Sequence, residues 1–201
     1  MNVALIDYGA GNVPSVERAL QRLDAVSQRV TQPEGLAKAT AIILPGVGHF
    51  AAMVRALDEH NLRSALLEAL ARGVPFLGIC LGLQALFASS DEAPALRGLG
   101  VFSGTVKSLP GTAKLPHMGW NRLRIQKASP LLDGLNGGDF FYFAHTFAAA
   151  DSTDHAVALC DYGIPFAAVL QHDNIFATQF HPEKSGPSGA RLLQNFMRLV
   201  A

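Results

Sequence analysis

Gly78-Ile79-Cys80-Leu81-Gly82-Leu83-Gln84 joins two different textures of sequence. Before it runs Val74-Pro75-Phe76-Leu77, a short apolar stretch that reads as a buried strand. From Leu83 onward, Leu83-Gln84-Ala85-Leu86-Phe87-Ala88 reads as the first turns of a helix. A residue flanked by glycines at such a joint sits on a sharp turn, and Gly-x-Cys-x-Gly is the elbow pattern with cysteine in place of serine. Amides at a helix N-terminus stabilise negative charge, which favours a thiolate there. The glycines let the backbone turn and let a ligand come close. A small buried cysteine ending an apolar strand fits the same residues, so the pentapeptide alone leaves both readings open.

Outward from the elbow, the N-terminal half alternates strands and helices. Val3-Ala4-Leu5-Ile6 reads as a central strand, followed by the loop Asp7-Tyr8-Gly9-Ala10-Gly11-Asn12. Pro14 suits the first turn of a helix whose apolar face is Val16, Ala19, Leu20 and Leu23. The loop opens like a dinucleotide fingerprint, but its third glycine would fall at Pro14, which argues against nucleotide binding. Ala25 to Val30 and Ala41 to Leu44 are further strands. The second of these ends in Pro45-Gly46-Val47-Gly48-His49-Phe50, where glycines can turn backbone N–H groups toward a ligand as an oxyanion hole needs. A plain strand-to-helix turn accounts for it equally well. Helices follow over Phe50 to Glu59 and Asn61 to Arg72, with Asn61 as N-cap and Gly73 as the stop. Apolar strands alternating with helices imply a parallel sheet covered on both faces.

After Ser89 the chain becomes rich in glycine, proline and short strands. Thr105 to Leu109, Asn121 to Ile125, Phe140 to Phe143, Ala156 to Cys160, Phe166 to Leu170 and Ile175 to Phe180 are the candidates, with a hairpin turn at His172-Asp173-Asn174. A last helix runs from Ser188 to Leu199, with Leu192, Leu193, Phe196 and Leu199 inward. No linker divides the halves and no repeat is present. The expectation is an α/β fold with a mainly parallel, flavodoxin-like central sheet flanked by helices and extended by antiparallel strands. Residues 1–201 form a single domain in this reading.

Composition limits the function. With 49% hydrophobic and 16% charged residues, the chain can bury a sizeable core. A formal net charge of zero, without a lysine or arginine run, argues against nucleic acid or an acidic membrane as the main partner. Cys80 and Cys160, far apart and without a secretion signal, read as free thiols in a reducing, cytoplasmic setting. The seven histidines and two cysteines show no metal-ligand spacing, so neither metal nor cofactor is expected.

The second decisive stretch is Gln179-Phe180-His181-Pro182-Glu183-Lys184-Ser185. A strand delivers His181 to its end, and Glu183 follows two residues later. A thiol nucleophile needs a base, and the base needs a carboxylate to hold its tautomer. Cys80, His181 and Glu183 supply those three groups at strand ends, where an open sheet presents its site. Alone, His-x-Glu would read as a surface turn. His60, His155 and His172 have no partner pattern, His49 and His117 suit structural hydrogen bonds, and Cys160 suits the core.

The elbow and the His181 segment together resemble the triad-type, or class I, glutamine amidotransferases. Asp7-Tyr8-Gly9-Ala10-Gly11-Asn12, Pro45-Gly46-Val47-Gly48-His49-Phe50, Pro116-His117-Met118-Gly119-Trp120-Asn121 and Tyr142-Phe143-Ala144-His145-Thr146-Phe147 narrow the likeness to the glutaminase subunits of imidazole glycerol phosphate synthase, over residues 7 to 185. The resemblance implies that Cys80 forms a glutamyl thioester, that His181 is base and then acid, and that Glu183 orients it. It implies an oxyanion site from backbone of Gly46, Val47 and Leu81. It implies glutamine held by Gln84 and by His145, Thr146 and Phe147, the last three mainly through backbone. Asn12, Trp120, Tyr142 and Lys184 match positions near a cyclase partner, a (βα)8 barrel that would receive the ammonia in a heterodimer and make imidazole glycerol phosphate and an aminoimidazole carboxamide ribonucleotide for histidine biosynthesis. Leu83 and Phe147 depart from the expected methionine and tyrosine but keep volume and aromatic body. Competing readings are another class I glutaminase, such as one serving pyridoxal phosphate synthesis, a free-standing cysteine hydrolase or peptidase, and a non-catalytic flavodoxin-like module.

Overall fold

The computed structural model describes residues 2–150 and 152–200. The first half gives β1 (Val3–Ile6), α1 (Val13–Gln21), β2 (Ser27–Val30), β3 (Ala41–Gly46), α2 (Phe50–Glu59), α3 (Leu62–Ala71), β4 (Phe76–Cys80) and α4 (Leu81–Ala85). The second half gives β5 (Phe87–Ser90), β6 (Phe102–Ser108), β7 (His117–Arg122), β8 (Arg124–Ile125), β9 (Phe140–His145), β10 (Phe147–Ala148), β11 (Ala156–Tyr162), β12 (Ile164–His172), β13 (Ile175–Thr178) and α5 (Gly186–Leu199).

The main sheet has the order β2-β1-β3-β4-β13-β12-β11-β8. Its first five strands are parallel, in the 2-1-3-4-5 arrangement of doubly wound folds, with β13 in the fifth place. The last three continue it antiparallel. Because strand side chains alternate, β1 sends Ala4 and Ile6 into one apolar layer and Val3 and Leu5 into the other. The first layer is closed by α2, α3 and the small sheet β10-β6-β5, the second by α1, α5 and the antiparallel ribbon β7-β9. Among the described residues, no helix is long and apolar enough to cross a membrane.

Four expectations need correction. The helix after the elbow is one short turn, Leu81–Ala85, and Phe87-Ala88 belongs to a strand. The carbonyls of Ala85, Leu86 and Ala88 accept from Leu99, Phe102 and Gly98 at 2.7, 2.9 and 3.1 Å, which draws the chain out of the helix. Phe87 then packs against Phe102 with ring centroids 5.5 Å apart. The segment Asn121 to Ile125 is two strands in different sheets, divided at Leu123, which turns into the core. Asn61 occupies the N-cap position of α3, yet its side chain makes no capping bond. Its φ of 55° instead supplies the left-handed step between α2 and α3 that asparagine tolerates. Leu199 is 40% exposed, because it sits at the rim of a groove beside Phe176 and Pro130.

Candidate active site

Cys80 is the last residue of β4 and the N-cap of α4, with φ 54° and ψ −106°. An L-residue holds such a backbone only where its surroundings fix it. The two glycines explain how. A Cβ on Gly82 would stand 2.0 Å from the Leu44 carbonyl oxygen, and one on Gly78 would stand 2.8 Å from that of Gly82. The elbow therefore lies flat against β3 because both flanking residues lack side chains. Cys80 remains 5% exposed, at a cavity of about 240 Å³.

His181 reaches the same cavity from the far end of β13. Its backbone N–H donates to the Tyr142 carbonyl at 2.9 Å, and the Ser185 hydroxyl donates to its carbonyl at 2.6 Å. The imidazole Nδ1 lies 2.9 Å from Glu183 Oε1, and both side chains are almost wholly buried. Burial opposes the charged imidazolium, but the Cys80 sulfur and then the Glu183 carboxylate outweigh it, so the His181 pKa is raised above its ordinary value. With Nδ1 held by Glu183, Nε2 is the nitrogen left for proton transfer. Asn12 Nδ2 donates to the same Glu183 oxygen at 3.2 Å, so this residue, read from the sequence as partner-facing, also braces the carboxylate.

The remaining residues singled out in the sequence divide into two groups. Val47, Leu81, Gln84, His145, Thr146, Phe147 and Lys184 line the cavity. Gly46 lies behind it, paired in register with Cys80; a Cβ there would meet Met53 Cε at 2.5 Å and Leu81 Cβ at 2.6 Å, so only glycine lets β3 and the elbow meet. Gln84 Nε2 donates to the Phe147 carbonyl at 2.8 Å and to Gln179 Oε1 at 3.2 Å. Trp120 stands outside, 55% exposed on the ribbon, edge-on to Tyr142 at 6.0 Å, with the Lys184 ammonium 5.8 Å from the Tyr142 ring. Exposed Met118 is on the same face of β7.

Sequence reading left out two residues at this site. Glu92 lines the cavity and accepts from the Phe50 N–H at the start of α2 at 2.7 Å, a place that a turn-rich segment gives no means of foreseeing. Gln179 is fully buried and its Nε2 donates to Cys80 Sγ at 3.6 Å. A signal for it existed, since it precedes His181 by two residues. Of the bystanders, His49 caps α2 by accepting from the Ala51 N–H at 3.1 Å, and burial, followed by the Asp161 charge, pushes the Cys160 thiol up to about 12. Among the described residues, no group of three or more His, Cys, Asp or Glu side chains converges as metal ligands do.

The arrangement places a buried thiol and an imidazole tied to a carboxylate at one small cavity at the carboxyl edge of a parallel sheet. Residues 4–200 match the family model described as glutamine amidotransferase class-I. The chain is 44% identical over 198 residues to the imidazole glycerol phosphate synthase subunit HisH of Methanothermobacter thermautotrophicus, covering 98% of each chain. It is 41% identical to that of Methanocaldococcus jannaschii, covering 98% of this chain and all of the relative. Similar solved structures include a glutamine amidotransferase (TM-score 0.78, 20% identity, 98% of each chain) and PurLQS from Thermotoga maritima (TM-score 0.77, 19% identity, 100% and 99% covered). Fold, family model and close relatives agree that the chain belongs to the class I glutamine amidotransferases, and among them to the family of HisH subunits of imidazole glycerol phosphate synthase.

Proposed function

We propose that this chain, as one domain over residues 1–201, hydrolyses glutamine to glutamate and ammonia and passes the ammonia to a cyclase subunit. The observation that carries the reading is the meeting of Cys80, from β4, and His181, from the segment after β13, at one cavity, with Glu183 bonded to His181 behind it. Cys80 Sγ attacks the side-chain carbonyl of glutamine while His181 Nε2 takes the thiol proton. Glu183 stabilises the imidazolium so formed. Backbone N–H groups of Val47 and Leu81, with Gly46 giving the room, hold the oxyanion. His181 returns its proton to the leaving nitrogen, and ammonia departs from a glutamyl thioester. His181 then takes a proton from water, whose oxygen attacks the thioester and releases glutamate and the thiol.

Gln84 and the His145-Thr146-Phe147 segment form the wall where glutamine lies, and the Glu92 carboxylate offers an acceptor for its ammonium group. Asn12, Trp120, Tyr142 and Lys184 surround the site on the side where a partner would dock. With the relatives named as subunits of imidazole glycerol phosphate synthase, that partner is the (βα)8-barrel cyclase of a heterodimer. The pair makes imidazole glycerol phosphate and an aminoimidazole carboxamide ribonucleotide in histidine biosynthesis, as a lyase that channels ammonia within the cytoplasm. The HisH relatives do not favour a glutaminase of pyridoxal phosphate synthesis.

The test is Cys80→Ala in the complex, followed by glutamate release. A loss of at least about 10³-fold is expected for removal of a covalent nucleophile. Near-normal turnover by a clean preparation would overturn the mechanism, and peptide cleavage in place of glutamine cleavage would return the chain to the cysteine hydrolases.

A further inference from the structure

The inner face of the β7-β9 ribbon carries two buried histidines; His145 belongs to the glutamine wall, but neither imidazole moves a proton in the proposed chemistry. His117 and His145 face each other in register, and His117 Nδ1 lies 3.0 Å from His145 Nε2. His145 Nδ1 lies 2.9 Å from the Phe147 carbonyl oxygen. A carbonyl only accepts, so His145 carries its proton on Nδ1 and accepts at Nε2. His117 must then donate from Nδ1, which leaves its Nε2 as an acceptor. Asn121 Nδ2 stands 3.4 Å from that nitrogen. The orientation of Asn121 is fixed independently, since its Oδ1 accepts from the Arg122 N–H at 2.8 Å and its Nδ2 also donates to the Asp161 carbonyl at 3.1 Å. Polarity is therefore determined from both ends, and the two assignments agree.

The same Phe147 carbonyl also accepts from Gln84 Nε2. Gln84 in turn donates to Gln179 Oε1, which turns the Gln179 NH₂ toward the Cys80 sulfur. We propose that this chain of hydrogen bonds, from Asn121 through His117, His145, the Phe147 carbonyl, Gln84 and Gln179 to Cys80 Sγ, positions the nucleophile, with Gln179 as the donor to the sulfur and His117 and His145 as positioning residues. The proposal rests on the reading of Cys80 as the nucleophile. It gives the ribbon a purpose beyond packing. Met118 and Trp120 occupy the opposite face of β7, so a group pressing on them moves the strand that anchors the far end of the chain.

Packing alone would be served by the rings themselves. His117 stacks on Phe143 at 4.7 Å and on Tyr162 at 3.9 Å, and an aromatic hydrocarbon could do the same. Burial holds both histidines below the ordinary range, His117 at about 4 and His145 at about 3, so both are neutral at physiological pH and each has one N–H to give.

Long-range ¹⁵N–¹H correlation on the full chain reads the tautomers directly. Both histidines are expected as neutral Nδ1–H forms, and an Nε2–H form at either would overturn the proposal. The second arm compares two substitutions in the complex with the cyclase subunit. His117→Phe keeps the stack and removes the donor, whereas His117→Asn sets an amide N–H near the place of Nδ1 and loses the stack. His117→Phe is expected to lower both kcat and the rate of Cys80 alkylation by iodoacetamide about 10-fold or more, with KM little changed, as for a buried acceptor, His145 Nε2, left without its donor. His117→Asn should recover most of that loss. His117→Phe equal to wild type, or better than His117→Asn, would refute the chain. Full activity of Cys80→Ala would instead remove the nucleophile reading while leaving the tautomers as found. Should neither His117 variant fold, the tautomers of the wild-type chain still decide.

Discussion

The backbone of Cys80 holds its positive φ because the glycines on either side let β3 and α4 pack closely around the turn. Gly82 is the tightest of the contacts that permit this, and an alanine methyl 2.0 Å from the Leu44 carbonyl oxygen would force α4 away from β3. Gly82→Ala is expected to destabilise the chain by at least the ~1–3 kcal/mol of ordinary overpacking, with loss of glutaminase activity in whatever remains folded. Urea unfolding beside a glutamate assay checks this, and a stable, active variant would remove the argument for a flat elbow. His181 and Glu183 differ in what they do. His181→Asn removes the base and should stop thioester formation. Glu183→Gln keeps an acceptor for Nδ1 and leaves Asn12 a partner, so its loss should be the smaller. Single-turnover measurement of thioester accumulation separates the two. If Glu183→Gln is as inactive as His181→Asn, the carboxylate's charge is itself essential.

Elements show where a sequence speaks and where it is silent. Strands buried on both faces were legible because Val3 to Ile6 and Ala41 to Leu44 are unbroken apolar runs, and helices α2 and α3 because apolar residues recur at helical spacing. Ribbon strand β7 was not, because His-Met-Gly-Trp-Asn-Arg has no clear alternation and Gly119, at φ 141°, looks like a break. The strand exists through its partner β9, which no local pattern announces. The early end of α4 was hidden for the same reason, since residues 98–102 supply the competing hydrogen bonds. At the site, the nearness of Cys80, His181 and Glu183 had motifs to announce it, whereas Glu92 and the Gln179 contact depend on folding across distance. The buried ribbon histidines have a measurable consequence. Both have folded pKa values below the ordinary 6.5, so the unfolded chain binds more protons as the pH drops below that value. Their contribution to stability is therefore intact above about pH 6.5 and is lost as pH falls toward about 4 for His117 and about 3 for His145. The slope is about 1.4 kcal/mol per pH step for each histidine. His181, raised instead of lowered, has the opposite sign: its contribution is intact below the ordinary value and is lost only above it. Urea midpoints at about pH 7.5 and about pH 5 should diverge in the wild type and diverge less in His117→Phe. An equal divergence would mean that His117 is not held neutral.

At the scale of the whole molecule, the cavity and the exposed ribbon lie side by side, joined by Tyr142 and Lys184. Trp120, the single tryptophan, is 55% exposed, and Met118 beside it is 65% exposed. Large apolar side chains presented together mark a surface that another protein covers. A glutaminase active without that partner would release ammonia to water, so coupling is the expected design. The segment Gly46-Val47-Gly48 is the proposed means: Gly48 at φ 96° already uses freedom only glycine has, and rotation of the peptide planes there would turn a Val47 or Gly48 N–H toward or away from the oxyanion. One missing oxyanion donor costs about 2.7–4 kcal/mol, or roughly 10²–10³ in rate. A partner that binds the competent state more tightly shifts the population by no more than that difference in affinity. The isolated chain should therefore release glutamate slowly, and the cyclase subunit carrying its nucleotide ligand should accelerate it toward that range. Trp120 emission should shift to the blue as the same partner is titrated, since docking removes the ring from water. Trp120→Ala should weaken the complex by about 30-fold, as for an aromatic hot spot worth about 2 kcal/mol. Full activity of the isolated chain, with a tryptophan emission that the liganded cyclase leaves unmoved, would show that neither the ribbon nor the glycine segment takes part in coupling.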